Sequence, residues 1–423
     1  MIVSFSVQNF RSIRNKITLD FRATSDKHQE EYFVFNVTRP KTRILKMAMI
    51  YGANASGKSS ILIALDFLRR LVLNPVQDKN NSLNIPFFAL DTEKTSEFEI
   101  EFYYNQVIYE YHIVLDNHKI HFESLFYYPK GKRAKIFTRE LTGANEYTYD
   151  WSENLFKKMV QEQLELSIPN QAIIAKIASI DYSGPLQMAH DWFRFKLQAI
   201  LLPNMSLTRY TSKQLIEQNS SHTAIKKFIV EFLRKADFLI SDIKIDEESV
   251  GIEELPMQIQ RNMSTHGSEV PRIIRYDFGF IHESKDGSFT LDIEQESLGT
   301  QRFYGLGAIL MSLISGGVTM PIDEIEGSLH NDLLFHFIAM FLRNSEQGQL
   351  IFTSHNTSLM HEKSLTRRDC IWITDRKSDG STELTPVSDY PVRKEHAIDS
   401  LFKKGLIGGK PNLGPIYLEN VHE

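Results

Sequence analysis

The sequence predicts an α/β fold, with a parallel sheet flanked by helices, an antiparallel β subdomain and an inserted helical subdomain. Three observations predict it. A short apolar run, Met47–Ile50, enters a glycine-rich loop, and helical periodicity follows over Ser59–Leu73. From Phe98 to Tyr149, aromatic and β-branched residues alternate with polar ones, as in half-buried antiparallel strands. After Gln295, helix and strand patterns alternate again, which is the signature of a parallel sheet with helices on its faces.

Each element has its own justification. Ile2-Val-Ser-Phe-Ser-Val-Gln-Asn-Phe alternates at period two and reads as a strand, with Ile17-Thr-Leu-Asp-Phe pairing to it as a hairpin. Within Phe98–Tyr149, turns fall at Asp116-Asn117 and Pro129-Lys-Gly131. Composition shifts near Trp151, and from Asn154 to about Ala236 Leu, Ile, Lys, Glu and Gln recur with helical spacing. Strands resume at Ile240–Ile245, Arg272–Phe280 and Phe289–Ile293. A helix over Phe303–Ser315, a strand over Val318–Ile322 and a helix over Asn331–Asn344 follow, then strands at Leu350–Thr353 and Cys370–Thr374. The expected division is 1–150, an inserted helical subdomain over 151–240, and 241–423.

Bulk properties narrow the class. A net charge of −5 argues against coating nucleic acid by charge alone, although a local basic groove is compatible with it. The single cysteine, Cys370, rules out an internal disulfide framework and fits a reducing, cytoplasmic setting. It lies in an apolar run and reads as a buried strand residue, not a nucleophile. Met1–Asp20 lacks the apolar core of a secretory signal. The uncharged stretch Phe303–Ile322 is close to a spanning length, but Gly305, Gly307, Gly316, Gly317 and Pro321 interrupt it, so no membrane segment is expected.

Four motifs carry chemistry. Gly52-Ala-Asn-Ala-Ser-Gly57-Lys58-Ser59 matches G-x-x-x-x-G-K-[ST] in full between a strand and a helix. Glycines let backbone N–H groups approach phosphate oxygens, and the helix N-terminus adds partial positive charge. A chance match in a chain this long arises on the order of one per cent of the time. The expected nucleotide contacts are Gly52, Asn54, Ser56, Gly57, Lys58, Ser59 and Ser60, with Lys58 on the β- and γ-phosphates and Ser59 on Mg2+. Val318-Thr-Met-Pro-Ile-Asp323-Glu324 is an apolar strand ending in two carboxylates. A solvated turn would explain such acids in isolation. Paired with the phosphate loop, Asp323 is expected on Mg2+ and Glu324 on the attacking water. Glu326 reads as a surface or loop-bracing residue. Ile351-Phe-Thr-Ser-His355 places a histidine at the end of another strand. Most such histidines are structural, but its spacing from the acids suits contact with the γ-phosphate. Glu296-Ser297-Leu298-Gly299-Thr300-Gln301 opens a helix, which is both an ordinary cap and a potential anion site.

Taken in order, the phosphate loop, long insert, Ser-x-Gly turn, acidic strand end and histidine resemble ABC/SMC/RecF-type ATPase heads. Gln8-Asn9-Phe10-Arg11-Ser12-Ile13 resembles the first strand of RecF- and SMC-like proteins, where the basic residue, here Arg11, lies near the nucleotide base. Asp323-Glu-Ile-Glu-Gly-Ser328-Leu-His330, Phe352-Thr-Ser-His355-Asn and Ser388-Asp-Tyr-Pro-Val-Arg393-Lys resemble family fifteen of the AAA ATPases, which includes the RloA and AbiLi subunits of anti-phage systems.

The resemblance implies ATP and Mg2+ as ligands and ATP hydrolysis as the activity. It implies a homodimer or higher oligomer sandwiching ATP, with Ser297 and Gly299 acting in trans and Ser328–His330 at the dimer seam. Glu296–Gln301 departs from Leu-Ser-Gly-Gly-Gln, and the Q-loop has no clear glutamine, Asn84–Phe88 being its expected region. Relatives of overcoming-lysogenization type carry a TOPRIM nuclease after the ATPase. No such acidic set is seen in the residues after His355, so the expected nuclease is a separate polypeptide. The alternative is a RecF-like, ATP-gated DNA-binding repair protein. Lys130-Gly-Lys132-Arg133-Ala-Lys135, set between Tyr127-Tyr128 and Phe137, would then meet phosphates. A solvated hairpin tip is the ordinary explanation for that cluster. Lys403-Lys404 and the glycine-rich Gly405–Gly414 stretch read similarly, or as a partner-docking segment.

Overall fold

Every residue of Met47–Gly52 is buried, as a strand covered on both faces must be. The computed structural model describes residues 1–144, 146–203, 207–217, 222–236, 238–250, 273–391 and 398–410. Its strands in chain order begin β1 (Ile2–Gln8), β2 (Ile17–Asp20), β3 (Val34–Thr38), β4 (Lys41–Leu45) and β5 (Met47–Gly52). Next come β6 (Ser96–Tyr104), β7 (Val107–Leu115), β8 (Ile120–Tyr127), β9 (Ala134–Leu141) and β10 (Tyr147–Trp151). The remainder are β11 (Ile240–Val250), β12 (Ile273–Ser284), β13 (Gly287–Asp292), β14 (Thr319–Ile322), β15 (Gln349–Thr353), β16 (Ile371–Arg376) and β17 (Thr382–Pro386).

The chain falls into two compact units. The first comprises 1–205, 312–326 and 337–423, and the second 206–311 and 327–336. The first unit holds a five-stranded sheet in the order β14-β15-β5-β16-β17, parallel except for the edge strand β17. It also holds a seven-stranded antiparallel sheet in the order β10-β9-β8-β7-β6-β1-β2. The predicted fold class, α/β with an antiparallel β region beside a parallel sheet, is the one observed. The helical stretch 151–240 is shared between the units. The helix Pro185–Phe195 packs in the first because Trp192 stacks on Phe102 of β6 at 4.1 Å and Phe193 meets Tyr111 of β7 edge-on. The helices Leu207–Glu217 and His222–Arg234 belong to the second.

Buried side chains tie the first unit together. Phe10, Phe67 and Phe98 form an aromatic triangle with centroids 5.4–5.6 Å apart, joining the helix Lys58–Leu73 to β6 and the end of β1. Gln349 in β15 accepts from the Ile2 N–H at 2.7 Å and donates to the carbonyls of Ile2 and Leu45, so one amide stitches the two sheets. Lys46 donates to the carbonyls of Leu342 and Ser345 at the end of the helix Asn331–Asn344, satisfying acceptors a helix C-terminus leaves open. Burial pulls its ammonium pKa down to about 8.

Glu123 and Arg139 are fully buried on adjacent strands of the antiparallel sheet. Glu123 accepts from the N–H groups of Ile173 and Ile174 and from the Tyr111 hydroxyl, while Arg139 donates to the Gln171 carbonyl at 2.8 Å and lies over Tyr147. Burial pushes the Glu123 carboxyl pKa up, and Arg139 opposes that shift. Glu123→Ala strips the guanidinium of its carboxylate and two buried N–H groups of their acceptor. The expected loss is about 3–5 kcal/mol, read as a lower urea midpoint with an unchanged slope.

In the second unit, β11-β12-β13 form an antiparallel sheet. The helix Leu298–Ser315 begins five residues before the predicted Phe303, because Ser297 caps it. A Cβ on Gly305 would fall 2.5 Å from Leu207, and one on Gly307 would fall 3.2 Å from Ile229. The glycines that interrupt the apolar run are therefore points of close helix packing. Among the described residues, no helix is long and apolar enough to cross a membrane. Cys370 is buried as predicted, one residue before β16 in a short turn, and burial raises its thiol pKa well above the ordinary value.

Candidate nucleotide site

β5 delivers the chain into the loop 52–57, and the helix Lys58–Leu73 leaves it. Gly52 has no room for a side chain, since a Cβ would lie 2.2 Å from Thr374 Oγ1 and 2.6 Å from Ser56 Oγ. Gly57 caps the helix with φ at 101°, a left-handed conformation that glycine adopts without strain. Its α-carbon faces Thr382, whose Oγ1 would lie 1.9 Å from a Cβ. The loop is braced from behind by hydroxyls. Ser56 and Thr374 share a bond of 2.5 Å, Thr382 Oγ1 lies 3.0 Å from the Ser56 carbonyl, and Ser12 donates to Ser60 at 2.9 Å. Lys58 is buried and donates to the carbonyls of Gly52 and Ala53, both at 3.0 Å. Burial lowers its pKa, and Asp323, Glu324 and Glu326 push it back up.

β14 ends beside this loop. Asp323 Oδ1 accepts from the Ser59 hydroxyl at 3.0 Å and from the Thr353 hydroxyl at 2.5 Å. Thr353, fully buried at the end of β15, also accepts the Glu324 N–H at 2.9 Å. Glu324 has φ at 48°, a conformation non-glycine residues reach at a cost and keep where neighbours enforce it. Here Thr353 on one side and the Ile325 N–H bound to the Thr353 carbonyl on the other hold the turn. The turn aims the Glu324 carboxylate outward, 3.6 Å from His355 Nε2, with both side chains about two-fifths exposed. Glu326 accepts the His355 N–H at 2.7 Å and so braces the loop.

A cleft of about 730 Å3 opens at this loop, and Asp323 is set back from it behind Ser59. Its lining includes Arg11, Asn54, Lys58, Ser59, Glu324 and His355. Ser12, Gly57 and Ser60 line it as well. Of the predicted loop contacts, Gly52 and Ser56 are set back from the cleft, and the Ser56 hydroxyl is spent on Thr374. Arg11 has φ at 53°, and its N–H donates to the Pro86 carbonyl, so Asn84–Phe88 abuts the first strand. Sequence reasoning gave no individual role to Ser12, Thr353, Thr374 or Thr382. Thr353 lay inside the quoted Phe352-Thr-Ser-His motif, whereas a threonine on an unpredicted edge strand such as β17 left no readable signal.

Residues 47–361 match the family described as "AAA domain, putative AbiEii toxin, Type IV TA system". The chain belongs to this AAA-domain family. Its nucleotide-binding type is thus that of an AAA/ABC-class ATPase. No curated protein sequence matches the chain. Among solved structures, it is similar to an SMC head bound to the C-terminal winged-helix domain of ScpA, with 14% identity, 91% of this chain and 97% of that one covered, and a TM-score of 0.45. It is also similar to the SMC head domain from Thermotoga maritima, at 12% identity, 91% and 98% coverage and a TM-score of 0.43. A third is an Smc head with an extended coiled coil bound to the C-terminal domain of ScpA derived from Pyrococcus furiosus, at 12% identity, 95% and 98% coverage and a TM-score of 0.42.

In this AAA-domain chain the Ser-x-Gly turn lies in the second unit. Ser297 Oγ accepts the Thr300 N–H at 3.1 Å, an N-cap bond. Gln301 donates to the Glu296 carbonyl, and Glu296 meets His282 Nε2 at 2.5 Å. A Cβ on Gly299 would lie 3.8 Å from the Ser328 carbonyl, so the turn and Ser328–His330 are neighbours within that unit. Two of the four cations of the basic hairpin are engaged internally. Arg133 forks onto Glu110 at 2.6 and 2.9 Å and stacks on Phe126, and Lys135 pairs with Asp150. Arg393 and Lys394 of the C-terminal motif, and residues 411–414 of the glycine-rich stretch, lie outside the described residues.

Proposed function

We propose that this chain is the ATP-binding and ATP-hydrolysing switch subunit of a prokaryotic anti-phage (abortive infection) system. In this reading it is RloA/AbiLi-like, cytoplasmic, and controls a separate effector such as a TOPRIM nuclease. The observation that supports the enzymatic part is the Ser59–Asp323 hydrogen bond, which joins the end of the phosphate loop to the acidic strand end. The defence role is supported by the family's description, which refers to a putative AbiEii toxin and a type IV toxin–antitoxin system.

Lys58 and the loop N–H groups bind the phosphates, and Arg11 and Asn54 stand at the cleft wall for the rest of the nucleotide. Ser59 and Asp323 offer the hard oxygen donors that suit Mg2+. When bound with nucleotide, Mg2+ supplies neutralisation of phosphate charge. Glu324 accepts a proton from the attacking water, and His355, held through its backbone by Glu326, faces the same space and reports on the γ-phosphate. Ser297 and Gly299 act on the nucleotide of a second copy in a homodimer or larger assembly.

The RecF-like alternative needs cations free for phosphate, and the pairing of Arg133 and Lys135 weighs against it. The test is phage challenge of cells carrying wild-type, Lys58→Ala or Glu324→Gln protein, with pull-down of bound proteins from the same cells. Both variants are expected to lose protection. Unchanged protection by both would remove the switch role, and retained, salt-sensitive duplex binding by a chain without partners would favour the alternative.

A further inference from the structure

We infer that Glu97, Glu99 and His112, on the outer face of the seven-stranded sheet, form a binding site for a divalent transition-metal ion of the Zn2+ class. Glu97 and Glu99 stand two apart on β6, so both point to one face. His112 on β7 is the cross-strand partner of Glu99. That arrangement brings one donor atom from each residue within 4.8 Å of the other two. His112 Nε2 is 3.0 Å from Glu97 Oε1 and 3.7 Å from Glu99 Oε1. Ligands about 2.0–2.2 Å from a tetrahedral ion lie about 3.3–3.6 Å apart, so the three atoms are already near the spacing a metal requires. All three side chains are partly exposed and reachable from solvent.

Charge on this face favours a cation at this point. Glu101 has Arg22 as its own partner, and Glu110 has Arg133. Glu97 and Glu99 share a single ammonium, Lys16, leaving a net negative charge beside the imidazole. Lys16 holds Glu99 through Oε2 at 2.6 Å, leaving Oε1 turned toward His112. A carboxylate oriented through its second oxygen is how ligands are commonly fixed around a metal. His112 is in turn packed against Phe122 at 5.1 Å, which restrains the ring. An imidazole with two carboxylates leaves at least one position for water and selects ions such as Zn2+ over Mg2+.

The test uses the full chain without nucleotide, titrated with Zn2+ by calorimetry and with Co2+ by visible absorption. One saturable equivalent is expected, with d–d bands of a low-coordinate Co2+ site. His112→Ala and Glu99→Gln should each weaken Zn2+ binding by about 100-fold or more and lose the Co2+ bands. Asp323→Asn should keep both, separating this site from the nucleotide cleft. Circular dichroism and metal-free melting of the variants confirm that they fold, as expected for partly exposed positions. Absence of a saturable equivalent in the wild type, or His112→Ala binding as the wild type does, overturns the site.

Discussion

Glu324→Gln is expected to lower ATP turnover by about 100- to 10,000-fold while nucleotide still binds. The amide is the same shape as the carboxylate, so the left-handed turn held by the bond from the Glu324 N–H to Thr353 remains. Lys58, Ser59 and Asp323 are untouched, so the phosphate grip is kept. What disappears is a proton acceptor facing the cleft beside His355. Steady-state phosphate release, measured with a fluorescent-nucleotide titration on the same preparation, separates the two effects. A parallel fall in both would make Glu324 a structural residue of the turn.

Lys58→Ala is expected to weaken nucleotide binding itself, by about 3 kcal/mol or roughly 100-fold. The ammonium is buried between two loop carbonyls and three nearby acids. In the proposed function a triphosphate entering the cleft would take over those contacts with stronger, charge-assisted bonds. Without Lys58, the nearby charges of Asp323 and Glu324 would be uncompensated and would add repulsion to the loss. Equilibrium nucleotide titration reads the change. An affinity within twofold of the wild type would show that the phosphates lie elsewhere.

The sequence disclosed those parts of the site that are written in consecutive residues. Gly52–Ser59 and Asp323-Glu324 are local patterns with fixed spacing, and the structure brings them to within one hydrogen bond of each other. The helix Asn331–Asn344 and the strand at Gln349–Thr353 were legible because their apolar residues recur at the proper period. What stayed hidden depends on tertiary contact. The β3–β4 hairpin and the edge strand β17 are short and partly exposed, so their periodicity is weak. The two-residue turn between β6 and β7 uses Asn105 and Gln106, both with positive φ, and only the first is a characteristic turn residue. Thr353 illustrates the limit most clearly. Its hydroxyl links the Asp323 carboxylate to the backbone of Glu324, yet one threonine in an apolar strand carries no sign of that task.

The division of the helical stretch has the same origin. Leucine and lysine at helical spacing mark 151–240 as helical, but not which sheet or helix each segment meets. Trp192 finds Phe102, whereas Phe232 finds Phe303, and that choice puts the two segments in different units.

The most direct measurement is the Mg2+ dependence of nucleotide binding in wild type, Ser59→Ala, Asp323→Asn and the double variant, at fixed ATP. In the proposed function loop and strand end would hold one ion together, so each single change should raise the Mg2+ requirement, and the double change should add little to the worse single. Fully additive single effects, or a wild-type chain that binds no nucleotide at any Mg2+ concentration, would contradict the account.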